Sequence, residues 1–183
     1  MLNEKWDPGQ RIGCRVKKAR AAFLKLRRFF VNRDHLNIKL RLRMLKSYVW
    51  PVLLYGVEAC TLKMTTVNKI EAFEMWNLRR MLRIPWTDCV RNEEVIRRDG
   101  LEDRELFRYS REKKIAYLGH ILRRERFQFQ RLILPRKDRG GKERTKLSWF
   151  RNSRQWTGIQ NFQDLQTAAA ERIIWWEKGI ERR

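Results

Sequence analysis

Apolar residues recur along this chain at steps of four and three, the spacing that lines one face of an α-helix. Between Arg11 and Val31 the stripe runs through Ile12, Val16, Ala19, Phe23, Leu26 and Phe30. A turn is expected at Asn32, Arg33 and Asp34, followed by a second stripe through Ile38, Leu42, Leu45, Val49 and Val52. Pro51 lacks a backbone N–H, so it should kink this second helix or stop it near Trp50. A third helix is expected from Thr65 or Thr66, either of which can cap it, to about Ile84 before Pro85. Asn92, Glu93 and Glu94 open a short helix that closes at Asp99 and Gly100. A longer helix is expected from about Glu102 to Arg124, with Ile115, Leu118 and Leu122 on its buried side. Two more should span Lys146 to Trp156 and Phe162 to Ile180. Asn161 would cap the last, and Leu165, Ala169, Ile173, Trp176 and Ile180 would form its seam. No useful run of strand-like alternation occurs, and no internal repeat. The pattern predicts an all-α, multi-helix assembly with basic loops and no substantial sheet.

Charge changes this picture more than composition does. Of 183 residues, 43% are apolar and 11% aromatic, enough to bury a core. Lys and Arg number 43 against 21 acids, a net charge of +22. Self-repulsion on this scale opposes compaction unless a polyanion neutralises it. A membrane is the weaker candidate, because no apolar run approaches the ~18 residues a span needs. The longest, Tyr48 to Tyr55, is short and contains Pro51. The N-terminus has no signal-peptide pattern. Cys14, Cys60 and Cys89 are odd in number and far apart, which fits buried thiols in a reducing compartment better than disulfides. The expected setting is intracellular and nuclear, with nucleic acid as the partner and no membrane.

Where the cations fall sharpens that expectation. Lys39, Arg43, Lys46 and Trp50 step by four, three and four, so they should share a face distinct from the apolar stripe. Lys69, Trp76, Arg80 and Arg83 fall on one side of the third helix, with Arg79 beside them. Cations flanking an aromatic suit a phosphate backbone: they release counterions while the ring stacks on a base or sugar. A solvated helix face would mix both signs at i,i+4 spacing, yet the first sixty residues hold 14 basic and only 4 acidic side chains. A second candidate contact is the loop bearing Arg136, Lys137, Arg139, Lys142, Arg144 and Lys146 around Gly140 and Gly141.

Catalytic patterns are missing from these residues. The adjacent acid pairs, Glu93–Glu94 and Glu102–Asp103, suit helix starts. No aromatic-x-Asp-Asp segment occurs for metal-dependent polymerisation. No Cys/His spacing suits zinc, and Gly140-Gly141-Lys142 continues into Glu143 rather than a P-loop hydroxyl. His120, after Gly119 on a helix, reads as a core or surface residue. No catalytic residue, metal site or cofactor is expected in this segment.

Four segments carry a resemblance: YVWPVLLYGVEACTL from Tyr48, IEAFEMWNLRRMLRIPWTDCVRNEE from Ile70, YLGHILRRE from Tyr117 and SWFRNSRQWTG from Ser148. In this order they resemble the C-terminal part of the endonuclease–reverse transcriptase polyproteins of non-LTR (LINE-type) retrotransposons. The resemblance runs from about Arg11 to the end. It implies a transposable-element RNA-directed DNA polymerase whose endonuclease, fingers and catalytic palm lie outside this chain and would be its partners. Residues 1–10 would be a tail or stub, 11–62 thumb-like helices, and 63–135 a helical C-terminal region. Residues 136–183 would hold the basic loop and two terminal helices. Such a piece would grip an RNA–DNA hybrid, template RNA or target DNA. The alternatives are a stand-alone helical DNA-binding regulator, in which the helix pair from Asn92 resembles helix-turn-helix geometry, and an inactive translated transposon remnant.

Overall fold

The computed structural model describes residues 8–31, 36–99, 104–128, 131, 149–173 and 175. Among them every regular element is helical, so the fold is all-α. The α-helices are α1 (Pro8–Lys25), α2 (Arg27–Val31), α3 (Ile38–Met44), α4 (Trp50–Leu54), α5 (Met64–Leu82) and α6 (Asn92–Asp99). They continue with α7 (Glu105–Arg123), α8 (Trp149–Thr157) and α9 (Phe162–Ala170). None of the described helices is long and apolar enough to cross a membrane.

The described chain divides into two compact units. The first comprises the described residues within 1–55 and 64–108, the second those within 56–63 and 109–183. In the first unit α1 packs on α4 and α5, and α5 also packs on α2 and α6. Ile12, Ala19, Phe23 and Phe30 of the first stripe are buried. The continuous helix expected there is broken at Leu26 into α1 and α2. Phe23 and Phe30 stack across the break, with ring centroids 4.7 Å apart.

Pro51 produces neither a stop near Trp50 nor a free end. Residues Leu45–Val49 form one wider turn of π-helix, and α4 carries on from Trp50 through Pro51 to Leu54. Closing the ring at i→i+5 inserts the equivalent of one residue ahead of the proline ring, which would otherwise clash with a carbonyl of the preceding turn. It also sets back everything that follows by about 100° around the axis, the angle of one residue at 3.6 per turn. Trp50, Leu53 and Leu54 therefore turn into the core, while Val52 of the expected stripe is only half-buried.

The helix α5 starts at Met64, earlier than either threonine, and Thr66 packs inside its first turn beside Val67. The opening of α6 by Asn92, Glu93 and Glu94 is as expected. Glu94 forms ion pairs with Arg97 at 2.8 Å and Arg98 at 2.7 Å, which hold its carboxyl below the usual carboxylate range. The turn at 32–34, Gly100 and the Glu102–Asp103 pair lie outside the described residues.

In the second unit Ile115, Leu118 and Leu122 of α7 meet Phe150, Leu165, Ala168, Ala169 and Trp175. Asn161 caps α9 by accepting from the Gln163 backbone N–H at 3.2 Å. The seam expected through Ile173 does not hold: Glu171 is extended, which ends α9, and Ile173 is 75% exposed. Trp175 fills that place instead, donating from its indole N–H to the Ile115 carbonyl at 3.1 Å. Gly119 makes room for it, since a Cβ there would lie 2.5 Å from the Trp175 Nε1. Trp176 and Ile180 lie outside the described residues. The three thiols are free, but they are not the buried residues expected: Cys14 and Cys89 are exposed and Cys60 is half-buried. Cys14 falls on the outer side of α1, and Cys89 on a short loop.

Candidate nucleic-acid interface

The first unit sorts its cations into those held by the fold and those left on its surface. Arg41 belongs to the fold. It is 5% exposed, and its Nη1 donates to the Phe30 and Met81 carbonyls, each at 3.0 Å. Both carbonyls belong to last turns of helices, where backbone oxygens lack intrahelical partners and the helix dipole favours a cation. The Arg83 Nε donates to the Val31 carbonyl at 2.9 Å. The C-terminal ends of α2 and α5 are thereby drawn to α3.

On α3, Asn37 caps the helix, accepting from the Lys39 backbone N–H at 3.3 Å. Lys39 and Arg43 are exposed one turn apart, as the spacing predicts. Lys46 is half-buried and ion-paired with Glu105. Trp50, expected on the same outward face, is 3% exposed. The π-turn rotates it inward, so it has no face to offer a base. The aromatic–cation stripe expected on this helix reduces to Lys39 and Arg43.

On α5, Lys69, Arg80 and Arg83 are exposed and Trp76 is half-buried. The Trp76 ring packs against Phe23 and Phe73, with centroids 5.2 and 6.0 Å away. The Arg80 guanidinium lies over it at 4.5 Å and that of Arg20, from α1, at 5.2 Å. Trp76 therefore gathers two cations rather than presenting a bare stacking face. Arg20 is the partner that local spacing could not supply, because it comes from a helix more than fifty residues away. Arg79 has a different role: its Nη2 donates to the Val90 carbonyl at 2.7 Å and to the Asn92 Oδ1 at 2.9 Å, tying the loop after α5 to the helix. The exposed cations of this set are Lys39, Arg43, Lys69, Arg80 and Arg83, with Arg20 beside Arg80 and the Arg83 Nε on the Val31 carbonyl. The basic loop with Arg136, Lys137, Arg139, Lys142, Arg144 and Lys146 lies outside the described residues.

Besides Arg41, two buried ionisable groups went unseen in the sequence. Glu74, on α5, accepts from the Leu106 backbone N–H at 2.9 Å and so caps the start of α7. Burial raises its pKa to about 7, against the lowering effect of that hydrogen bond. In the second unit Lys114 is fully buried. Its Nζ donates to the Cys60 carbonyl and to the Asn152 Oδ1, each at 3.1 Å. It also lies 5.2 Å from the rings of both Trp149 and Trp156. Burial lowers its pKa to about 7. Asn152 in turn accepts from the Leu62 backbone N–H at 2.9 Å and donates to the Leu62 carbonyl at 3.3 Å. This polar knot fastens residues 56–63 to α7 and α8. It is enclosed by aromatic rings, which suits structural rather than catalytic work.

His120 lies beside Arg126, with Nε2 and Nη2 3.4 Å apart, and its ring meets that of Phe127 edge-on. Loss of solvent and the guanidiniums of Arg124, Arg126 and Arg123 hold its pKa below the ordinary value. Among the described residues no group of three or more His, Cys, Asp or Glu side chains could hold a metal ion. Compared with protein-family models, curated proteins and solved structures, the chain matches none.

Proposed function

We propose that this chain binds nucleic acid through phosphate contacts, as the thumb and C-terminal region of a LINE-type reverse transcriptase gripping template–primer duplex or target DNA. The carrying observation is the exposed set Lys39, Arg43, Lys69, Arg80 and Arg83 on α3 and α5. Arg41, Lys46 and Arg79, which hold the fold, are different side chains in the same unit; of the exposed set, Arg83 also donates to the Val31 carbonyl. Part of the excess of 43 basic over 21 acidic residues is thus exposed where a polyanion can reach it. The four segments that resemble the retrotransposon polyproteins supply the choice of duplex and the partnership with a palm and fingers. Catalysis in this reading belongs to those other domains, and the chain contributes grip and register.

The test is charge reversal at exposed cations of α3 and α5. Changing Lys39, Arg43 and Lys69 together to Glu should weaken binding to an RNA–DNA hybrid duplex at least a hundred-fold at low salt, at about 1 kcal/mol for each contact. The helical circular dichroism should not change. Unaltered affinity would refute the proposal. A selected consensus sequence among random duplexes would favour the stand-alone regulator instead.

A further inference from the structure

We propose that Trp86 is a stacking site for an unpaired base, at the edge of the cationic surface described above; the inference rests on the nucleic-acid reading. Trp86 is 86% exposed, in contrast to the buried Trp50 and the covered Trp76. A single exposed apolar side chain needs no explanation by itself. The support beneath this one does. Pro85 is extended, Trp86–Asp88 make one 3-10 turn, and Cys89 closes it in the left-handed region at φ 47°. Arg83, just before the loop, is also left-handed at φ 57°. Non-glycine residues in that region cost roughly 1–3 kcal/mol each and persist where their surroundings over-determine them.

Those surroundings are visible at both ends of the loop. Arg83 is anchored to the Val31 carbonyl at 2.9 Å. Arg79 reaches across to the Val90 carbonyl at 2.7 Å and to Asn92 at 2.9 Å. A loop braced at both ends holds its indole outward at little further entropic cost on binding.

Charge selects the occupant. From position 79 to 91 the chain carries Arg79, Arg80, Arg83 and Arg91 against Asp88 alone. Arg80, Arg83 and Arg91 are exposed. An apolar pocket on another protein would gain nothing from three exposed arginines within six residues of the tryptophan, whereas a single strand offers a π-face for the indole and phosphates for the arginines. The ligand class is therefore a single-stranded stretch of nucleic acid adjoining the duplex.

The experiment compares a blunt RNA–DNA hybrid duplex with the same duplex carrying a short single-stranded extension. Binding of the wild-type chain, W86A and W86F is read by fluorescence anisotropy. The wild type should prefer the extended duplex by about five- to a hundred-fold, the range expected for stacking one base. W86A should lose that preference, so that its ratio falls to about one, and W86F should keep most of it. A preference that persists in W86A, or one absent from the wild type while blunt duplex is bound, overturns the stacking site and leaves the phosphate grip standing. No binding of either duplex by the wild type overturns both.

Discussion

Lys114 makes the stability of the second unit rise with pH on the alkaline side of neutrality. Its ammonium is fully buried among neutral acceptors, the Cys60 carbonyl and the Asn152 Oδ1, with two indole rings as further partners. Burial brings its pKa from the usual 10.5 down to about 7. Between those values the unfolded chain holds a proton that the folded chain has released. Stability therefore rises with pH across that window, by at most about 1.4 kcal/mol per pH unit. Below pH 7 both states are protonated and the full penalty applies; above 10.5 both are neutral and it is gone. The whole gap is worth roughly 5 kcal/mol as an upper bound, since relaxation around the amine reduces it. Urea unfolding followed by tryptophan fluorescence at pH 7 and pH 9 should show a gain of roughly 2 kcal/mol. In K114M, with a chain of similar length and no charge, that gain should vanish. The absolute stability of the variant is less diagnostic, because relief of the buried charge is set against two oxygens that lose a donor. Equal pH dependence in the two proteins would refute the reasoning.

Two further outcomes follow from the packing. Glu74 has its pKa raised to about 7 by burial, so stability of the first unit should fall as pH rises from 4.5 to 7. Urea titrations of E74Q over that range should show the slope removed. G119A should destabilise the second unit by about 1–3 kcal/mol, although alanine normally favours a helix interior, because its Cβ would meet the Trp175 indole at 2.5 Å; thermal unfolding checks it, and a raised melting temperature would contradict it.

The helices were legible because each must bury one stripe, and Phe23, Leu45, Leu118 and Leu165 all lie where the spacing places them. The face bearing Trp50 was not, since a π-turn changes the phase of the helix without altering any local propensity. Position 114 falls one turn before Leu118, so the period allowed it inside. A lysine reads as surface there, because the carbonyl and amide that receive it come from residues 60 and 152. The same holds for Arg41, whose acceptors are 11 and 40 residues away. Exposed cations such as Lys39, Arg43 and Arg80 were visible because few acids accompany them. Trp86 is silent in the sequence: its signal, a tryptophan after Pro85 in a short loop rich in arginine, acquires meaning only once Arg79 and Arg83 are seen to brace it.

The most direct test of the central claim is the salt dependence of binding to an RNA–DNA hybrid duplex, read by fluorescence anisotropy. Phosphate contacts from Lys39, Arg43, Lys69, Arg80 and Arg83 predict a steep linear fall of log affinity with log salt, close to −0.9 for each phosphate neutralised as in duplex DNA. A slope of about −4.5 is expected, at about −0.9 for each of those five contacts. Weak binding with a flat slope would mean that this surface is not organised for phosphates, and would contradict the account.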